Sequence, residues 1–384
     1  MAPKILVPVP NWLGDAIMAL PALEELLRCS SDAEITVLAR PWVSTIYANL
    51  PVVDEVLLYP EEHISEFLGP RLRLTALIPM IRMLREKRFD QAILLQNATE
   101  AAILAFLARI PERIRYSTQL RGSLLTSRAR PRTRRSSSLS SWLYRNTVRF
   151  TSDSAPTIPV SSPRFDHEAL YYLDLIFRTG LSSRDYLNDQ SFNPKVRIKA
   201  TPASVEKARK RLESARVDVQ MPLVIVHPGS AFGVARRWQL RHFAEVCRKL
   251  TQTAQVLLLI LGWEREETIA GQVVRGIENR TTISSGSVDM ETTMGLMSLA
   301  RLVIANNAGA MHLATALGVP LVALFGSTDP SATGPLAENA IVHFKPVQCS
   351  PCHLRKCPID MRCWDGVETN EVLNSALTLL DRLS

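Results

Sequence analysis

The sequence predicts an α/β protein built from two Rossmann-like domains facing a central cleft, and three observations carry that expectation. The 384 residues exceed the comfortable size of one hydrophobic core, so two domains are the default, each able to bury a core of its own. Short apolar runs alternate with helical periodicities through both halves, the pattern of parallel sheets covered by helices. The composition, 46% hydrophobic, 21% charged and 6% aromatic, is that of an ordinary globular chain with no sign of global disorder.

The elements follow in order. Ile5 to Val9 reads as a first strand and not as a signal peptide, because prolines interrupt it and no small-residue cleavage site follows. Asp15 to Leu27 reads as a helix with Ile17, Leu20, Leu23, Leu26 and Leu27 on one side. Strands are expected at Ile35 to Leu38, Val56 to Leu58 and Ala92 to Leu95, with helices at Leu72 to Leu84 and Glu100 to Ala108.

From Arg113 to Ser152 the texture changes to ten arginines with no Asp or Glu and the run Ser136-Ser137-Ser138, read as a basic excursion from the domain. Asp166 to Leu175 restores helical periodicity, closed by Thr179-Gly180-Leu181. Ser182 to about Thr201 is the linker candidate, so the domains are placed at 1–182 and 183–384. In the second half, strands are expected at Leu223 to Val226, Val256 to Leu261, Thr282 to Ser284, Leu302 to Ala305 and Leu321 to Phe325. Helices are expected at Leu240 to Thr251, Glu264 to Arg275 and Thr292 to Ala300.

Three loops carry the candidate chemistry. After the strand ending at Ala305, Asn306-Asn307-Ala308-Gly309 leads into a helix, whose unpaired N–H groups and partial positive charge suit a diphosphate. Gly309 lets phosphates approach the backbone and His312 lies one turn in; the plain alternative is a strand-to-helix turn with a core histidine. After Val226, His227 to Trp238 sets glycines and Ser230 beside Arg236 and Arg237, a second anion-binding surface on the same sheet edge, or else a solvated basic loop. In the first half, Asn11-Trp12-Leu13-Gly14-Asp15 joins first strand to first helix. Asp15 is either a helix cap or a carboxylate able to take a proton from an attacking hydroxyl. Neither a Gly-x-Gly-x-x-Gly fingerprint nor a Walker phosphate loop is present, which argues against a dinucleotide dehydrogenase or an NTPase.

Together, Asn11 to Asp15, His227 to Trp238 and Asn306 to His312 resemble the ADP-heptose:lipopolysaccharide heptosyltransferases, most closely the heptosyltransferase II branch. The resemblance runs from Ile5 to Gly326. It implies a glycosyltransferase-B fold, acceptor bound by the N-terminal domain, ADP-heptose by the C-terminal one, and inverting transfer to the inner core of lipopolysaccharide with no cofactor required. It implies Asp15 as catalytic base. Ser230, Arg236, Asn307, Ala308, Gly309, His312 and the ribose-binding carboxylate Glu266 are implied on the donor side. Asn11, Trp12 and Arg121 are acceptor-side candidates. Asn307 stands where the family usually has aspartate, Ala308 where it has serine or threonine, and Arg236 where it has lysine; the first two bear on the choice of donor.

The resemblance further implies a phosphorylated lipid A-core acceptor and a cytoplasmic protein at the inner face of the inner membrane. No run of about 18 apolar residues is present to span a bilayer, so the chain is expected to be soluble with at most a peripheral membrane contact. The net charge of +8 and the stretch from Arg113 to Arg149 suit an anionic membrane surface as well as simple solubility; nucleic acid has no recognition motif in support. Six cysteines without an export signal imply a reducing compartment. Cys349, Cys352, Cys357 and Cys363 within the segment 349–363 are compatible with a structural zinc ion, with reduced thiols or with a redox pair. A transferase for another nucleotide sugar, and a non-catalytic nucleotide-sugar or lipid-binding module, remain the alternatives; oligomeric state is open.

Overall fold

The computed structural model describes residues 2–60, 74–116, 121–129, 167–186, 193–215, 217–218, 220–262, 266–275, 277, 281–284 and 288–382. The chain divides into two compact units, one holding Met1–Arg149 and Glu168–Pro194, the other Lys195–Ser384 with His167. Each is a parallel sheet covered by helices, as the alternating pattern predicts.

In the first unit the strands are β1 (Lys4–Pro8), β2 (Glu34–Ala39), β3 (Glu55–Leu58), β4 (Gln91–Ile93), β5 (Glu112–Tyr116) and β6 (Ser127–Ala129). They lie in the order β3-β2-β1-β4-β5-β6 with every pairing parallel. The expected helix from Asp15 to Leu27 is two helices, Leu13–Met18 and Leu20–Cys29, broken at Ala19 just before Pro21, which cannot donate to the turn behind it.

Two expectations shift in this unit. The first part of the basic stretch is no excursion, because Arg113 and Arg115 sit in β5 and the chain returns to the sheet as β6. Arg115 is buried and donates to the backbone oxygens of Leu94 and Gln96 and to Asn97 Oδ1, so its charge is spent inside the fold. Residues 130–152 of that stretch lie outside the described residues. The units part at Pro194, inside the expected linker from Ser182 to about Thr201 and beyond the boundary placed at 182. Ser182 Oγ donates to buried Glu25 at 2.5 Å, and Arg28 donates to both oxygens of that carboxylate. Burial alone would raise Glu25, but the Arg28 and Ser182 bonds outweigh it and hold the carboxyl at about 2.

The second unit repeats the arrangement with β7 (Leu223–His227), β8 (Leu257–Leu261), β9 (Thr281–Ser284), β10 (Leu302–Asn306), β11 (Leu321–Phe325) and β12 (Ala340–Phe344), ordered β12-β11-β10-β7-β8-β9. Strands β7, β8, β10 and β11 are buried along their whole length, which is why they read as unbroken apolar runs. Helices Leu240–Thr253 and Thr369–Asp381 cover one face through Phe243, Val246, Leu250, Val372, Ala376 and Leu379. In each sheet the strand order reverses at one point, between β1 and β4 and between β7 and β10. Ligands of such sheets bind at that point, outside the carboxyl ends of the strands.

Helix Pro202–Ser214, capped by Thr201 Oγ accepting from Ser204 N, lies against helix Met290–Leu299 at Gly295. A Cβ on Gly295 would fall 2.0 Å from Ser204 O. A Gly295→Ala substitution is therefore expected to destabilise the second unit by roughly 1–3 kcal/mol through overpacking. Urea unfolding followed by circular dichroism reads it, and an unchanged midpoint would contradict this packing.

Candidate functional site

The reversal point between β7 and β10 is where the second unit gathers its polar side chains. Asn306 is the last residue of β10 and is fully buried. Its Oδ1 accepts from Trp238 N at 3.0 Å, while its Nδ2 donates to Pro228 O at 2.8 Å and Gly229 O at 3.3 Å. One amide thus joins the start and the end of the loop after β7 to the end of β10. Only a side chain that both donates and accepts can do this, which an aspartate cannot.

The loop after β7 runs through the 3-10 turn Val234–Arg236 to Trp238, whose ring is buried and donates from Nε1 to Val367 O at 3.2 Å. Arg237 donates to Ser230 O at 3.1 Å and stands 4.0 Å from Glu266. Glu266 is buried, 3.5 Å from buried His227, and touches the loop where Gly229 leaves room. A Cβ at Gly229 would lie 2.1 Å from Glu266 Oε1. Ser230 is buried, and its Oγ has no hydrogen-bond partner among the described residues.

Beyond Asn306, helix Gly309–Leu317 starts with Ala308 as its N-cap and no side-chain cap. Serine or threonine there would have satisfied one of the first N–H groups, which no cap side chain takes up here. Asn307 is buried and donates from Nδ2 to Thr328 Oγ1 at 2.8 Å and Thr333 Oγ1 at 3.0 Å. Buried His312 is pushed down to about 3, by burial first and then by the charges of His167 and Arg236. The imidazole is therefore neutral at pH 7, a hydrogen-bond donor without a charge of its own. His167, whose Nε2 lies 3.1 Å from Gly334 O, is likewise pushed down to about 4 by burial.

The donor-side residues singled out in the sequence, Ser230, Arg236, Glu266, Asn307, Ala308, Gly309 and His312, all belong to this unit, on the loops after β7, β8 and β10. The bracing by Asn306, the pairing of His227 with Glu266 and the place of Arg237 escaped sequence reading. A glycine directly after a strand, in His227-Pro228-Gly229, is the signal that a side chain crowds there.

In the first unit, Asp15 lies half-buried in helix Leu13–Met18, directly after β1, beside Tyr47 and Tyr172. Burial first, and then the Asp15 charge, raise both phenols well above the ordinary tyrosine value. The neighbouring Ala16 carbonyl accepts from Tyr47 Oη at 2.9 Å. Asn11 accepts from Trp42 Nε1 through its backbone oxygen at 2.8 Å, and its Oδ1 is buried without a partner among the described residues; Trp12 is 44% exposed. Arg121 opens the 3-10 turn Arg121–Leu124, and its side chain lies outside the described residues.

The structural zinc ion that the spacing of Cys349, Cys352, Cys357 and Cys363 allows, beside reduced thiols or a redox pair, finds no ligand set among the described residues. Among the described residues no group of three or more His, Cys, Asp or Glu is gathered to hold a metal ion, and all four thiols are free. Cys363 turns into the core beside Trp364, where burial and, behind it, the neighbouring thiols push it up to about 12; Cys349 is exposed. The thiols are near enough to feel one another without forming a ligand set.

Residues 182–362 match the family model for glycosyltransferase family 9 (heptosyltransferase). The chain carries a glycosyltransferase family 9 domain. The resemblance and the enzyme class read from the loops are borne out. Two relatives at similar distance are lipopolysaccharide heptosyltransferase 2 of Salmonella typhimurium, 27% identical over 88% of this chain and 87% of that one, and lipooligosaccharide heptosyltransferase 2 of Haemophilus ducreyi, 28% identical over 88% of each. The solved Escherichia coli ADP-heptose lipopolysaccharide heptosyltransferase II shares the fold, with a TM-score of 0.74 at 21% identity and 99% coverage of both chains. A glycosyltransferase family 9 protein from Veillonella parvula gives 0.76 at 21% identity, over 99% of this chain and 97% of that one.

Two outcomes are expected for this family 9 domain. Asn306→Ala and Asn306→Asp should each cost roughly 2–5 kcal/mol, because buried backbone groups at Trp238, Pro228 and Gly229 lose partners or, with aspartate, face a like charge. Chemical unfolding measures this, and wild-type stability in either variant would remove Asn306 as the brace. The second concerns pH. His312 at about 3, and His167 and His343 at about 4, lie below the unfolded value near 6.5. Between those values the unfolded chain binds protons the folded chain refuses. The stability is complete above pH 6.5 and is lost as pH falls towards 4. Melting temperature should drop over that window, less steeply in a His312→Gln variant.

Proposed function

We propose that this glycosyltransferase moves heptose from ADP-heptose to the inner core of lipopolysaccharide with inversion at the transferred carbon. The observation that carries the reading is the Asn306-braced pair of loops at the reversal point of the second unit. It sets an uncapped helix start, a neutral buried imidazole and Arg236 on one anion-binding edge. Full-length likeness to proteins named heptosyltransferase 2 supports the choice of sugar and acceptor.

In this reading the diphosphate sits at the Gly309 helix start, where backbone N–H groups, Ser230, His312 and Arg236 neutralise the charge that grows as the sugar–phosphate bond breaks. An arriving anion favours the protonated imidazole, so His312 gains positive character as the leaving group gains negative charge. Glu266 accepts from the ribose hydroxyls. Asp15 takes the proton of the acceptor hydroxyl as it attacks, with Asn11, Trp12 and Arg121 on the acceptor side. The acceptor is a phosphorylated lipid, and the protein works at the cytoplasmic face of the inner membrane through a peripheral contact; among the described residues no helix is long and apolar enough to cross a bilayer.

A different sugar donor is the second reading, and Asn307 is the position that would read it. Asn307 commits its Nδ2 to Thr328 and Thr333, whereas the family's usual aspartate would accept from those hydroxyls. The contact survives the exchange with its polarity reversed, so Asn307→Asp should fold normally and serves to read donor preference.

The deciding experiment is turnover of ADP-heptose with a heptose-acceptor lipopolysaccharide core, following ADP release and heptosylated product. An Asp15→Ala variant should lose about 100-fold or more in turnover while still binding ADP. Near-normal transfer by that variant would end the assignment of Asp15 as base, and turnover with a different nucleotide sugar alone would end that of heptose.

A further inference from the structure

The segment that follows β12 and bears the four thiols has no part in the chemistry above, yet its contacts fall on the loop after β7, read above as holding the donor substrate, and on the loop after β11. Cys352 N and His353 N both donate to Ser327 O, at 3.0 and 2.8 Å, and Ser350 Oγ donates to Gly326 O. Trp364 Nε1 donates to Ala235 O at 3.1 Å, and Ala235 N donates to Arg355 O at 3.2 Å. This last approach is built for backbone alone. Gly233 has φ +153°, and a Cβ there would lie 2.4 Å from Arg355 O.

The same contact sets the exposed Arg355 side chain over the ring of Phe232, its guanidinium carbon 5.1 Å from the centroid. Arg236 covers the same ring at 3.6 Å. Two guanidinium groups therefore share one aromatic ring on a loop that also carries Arg237. Like charges held this close repel, and the ring's negative face offsets only part of that. A diphosphate on this loop, which is the one read above as holding it, would meet both cations at once.

We propose that Arg355 is a second cation for the diphosphate of the nucleotide sugar, delivered to the loop after β7 by the thiol-bearing segment, and that Phe232 is the positioning residue pairing it with Arg236. The proposal rests on the donor reading of that loop. It gives the segment 349–364 a task that needs no metal ligand set, because its backbone and Arg355 make the contacts.

The test is ADP binding to the full chain by titration calorimetry at two ionic strengths, for wild type, Arg355→Ala, Arg355→Lys, Phe232→Leu and Phe232→Tyr. Arg355→Ala should weaken ADP about fivefold at low salt and flatten the dependence on salt, since one cation fewer faces the anion. Arg355→Lys should recover part of the loss, Phe232→Leu should copy Arg355→Ala, and Phe232→Tyr should behave as wild type. ADP affinity and salt dependence unchanged in Arg355→Ala overturns the proposal while the donor reading stands. So does a loss in which the salt dependence keeps its wild-type slope, the mark of a purely structural role. Wild-type protein that binds no ADP overturns the donor reading and the proposal with it.

Discussion

The second unit hangs on a single planar amide. Asn306 closes a strand that is otherwise wholly apolar, and at that buried position it uses oxygen and nitrogen together, one towards Trp238 and the other towards Pro228 and Gly229. The distance between the loop after β7 and the helix after β10 is thereby set by the size of one side chain. With Trp238 N held, its indole is fixed in the core, and the turn before it must present Arg236 and Arg237 from a defined place. A buried amide left half-satisfied is costly, so the arrangement is all or nothing.

The charges around this joint are arranged unequally. Glu266 is engaged with His227 and Arg237, whereas Arg236 of the 3-10 turn sits near a histidine that burial keeps neutral. Such an edge suits an anion, the role proposed for it above. The energy for holding these charged groups in place comes from the buried strands and from the helices that cover them.

Much of this was legible in the sequence where physics is local. Leu321 to Phe325 matched to the residue, because a strand buried on both faces is apolar from end to end. Strand β5 was not legible. Glu112-Arg113-Ile114-Arg115-Tyr116 alternates like a solvated edge, and only its neighbours reveal that Arg115 is buried against three acceptors. Helix Pro202–Ser214 was missed for a related reason, its many charges concealing a narrow buried stripe of Ser204, Ala208 and Leu212. At the site, motif residues were visible by type and spacing. The partner of Asn306, 68 positions away, was not, because hydrogen bonds between distant loops leave no period in a sequence.

The seam between the units has a consequence for how such a protein can change over generations. Ser182 is tied back to Glu25 in the first unit, while Ile198 N donates to Ala316 O at 2.9 Å and Ser204 is packed on Gly295 in the second. Each sheet finishes its own core on its own side of Pro194, and among the described residues only His167, against Gly334 O, crosses that line. A recombination event at that joint would pass on each sheet with nearly all of its own core, so the two halves of such a chain are free to be inherited, and selected, almost separately.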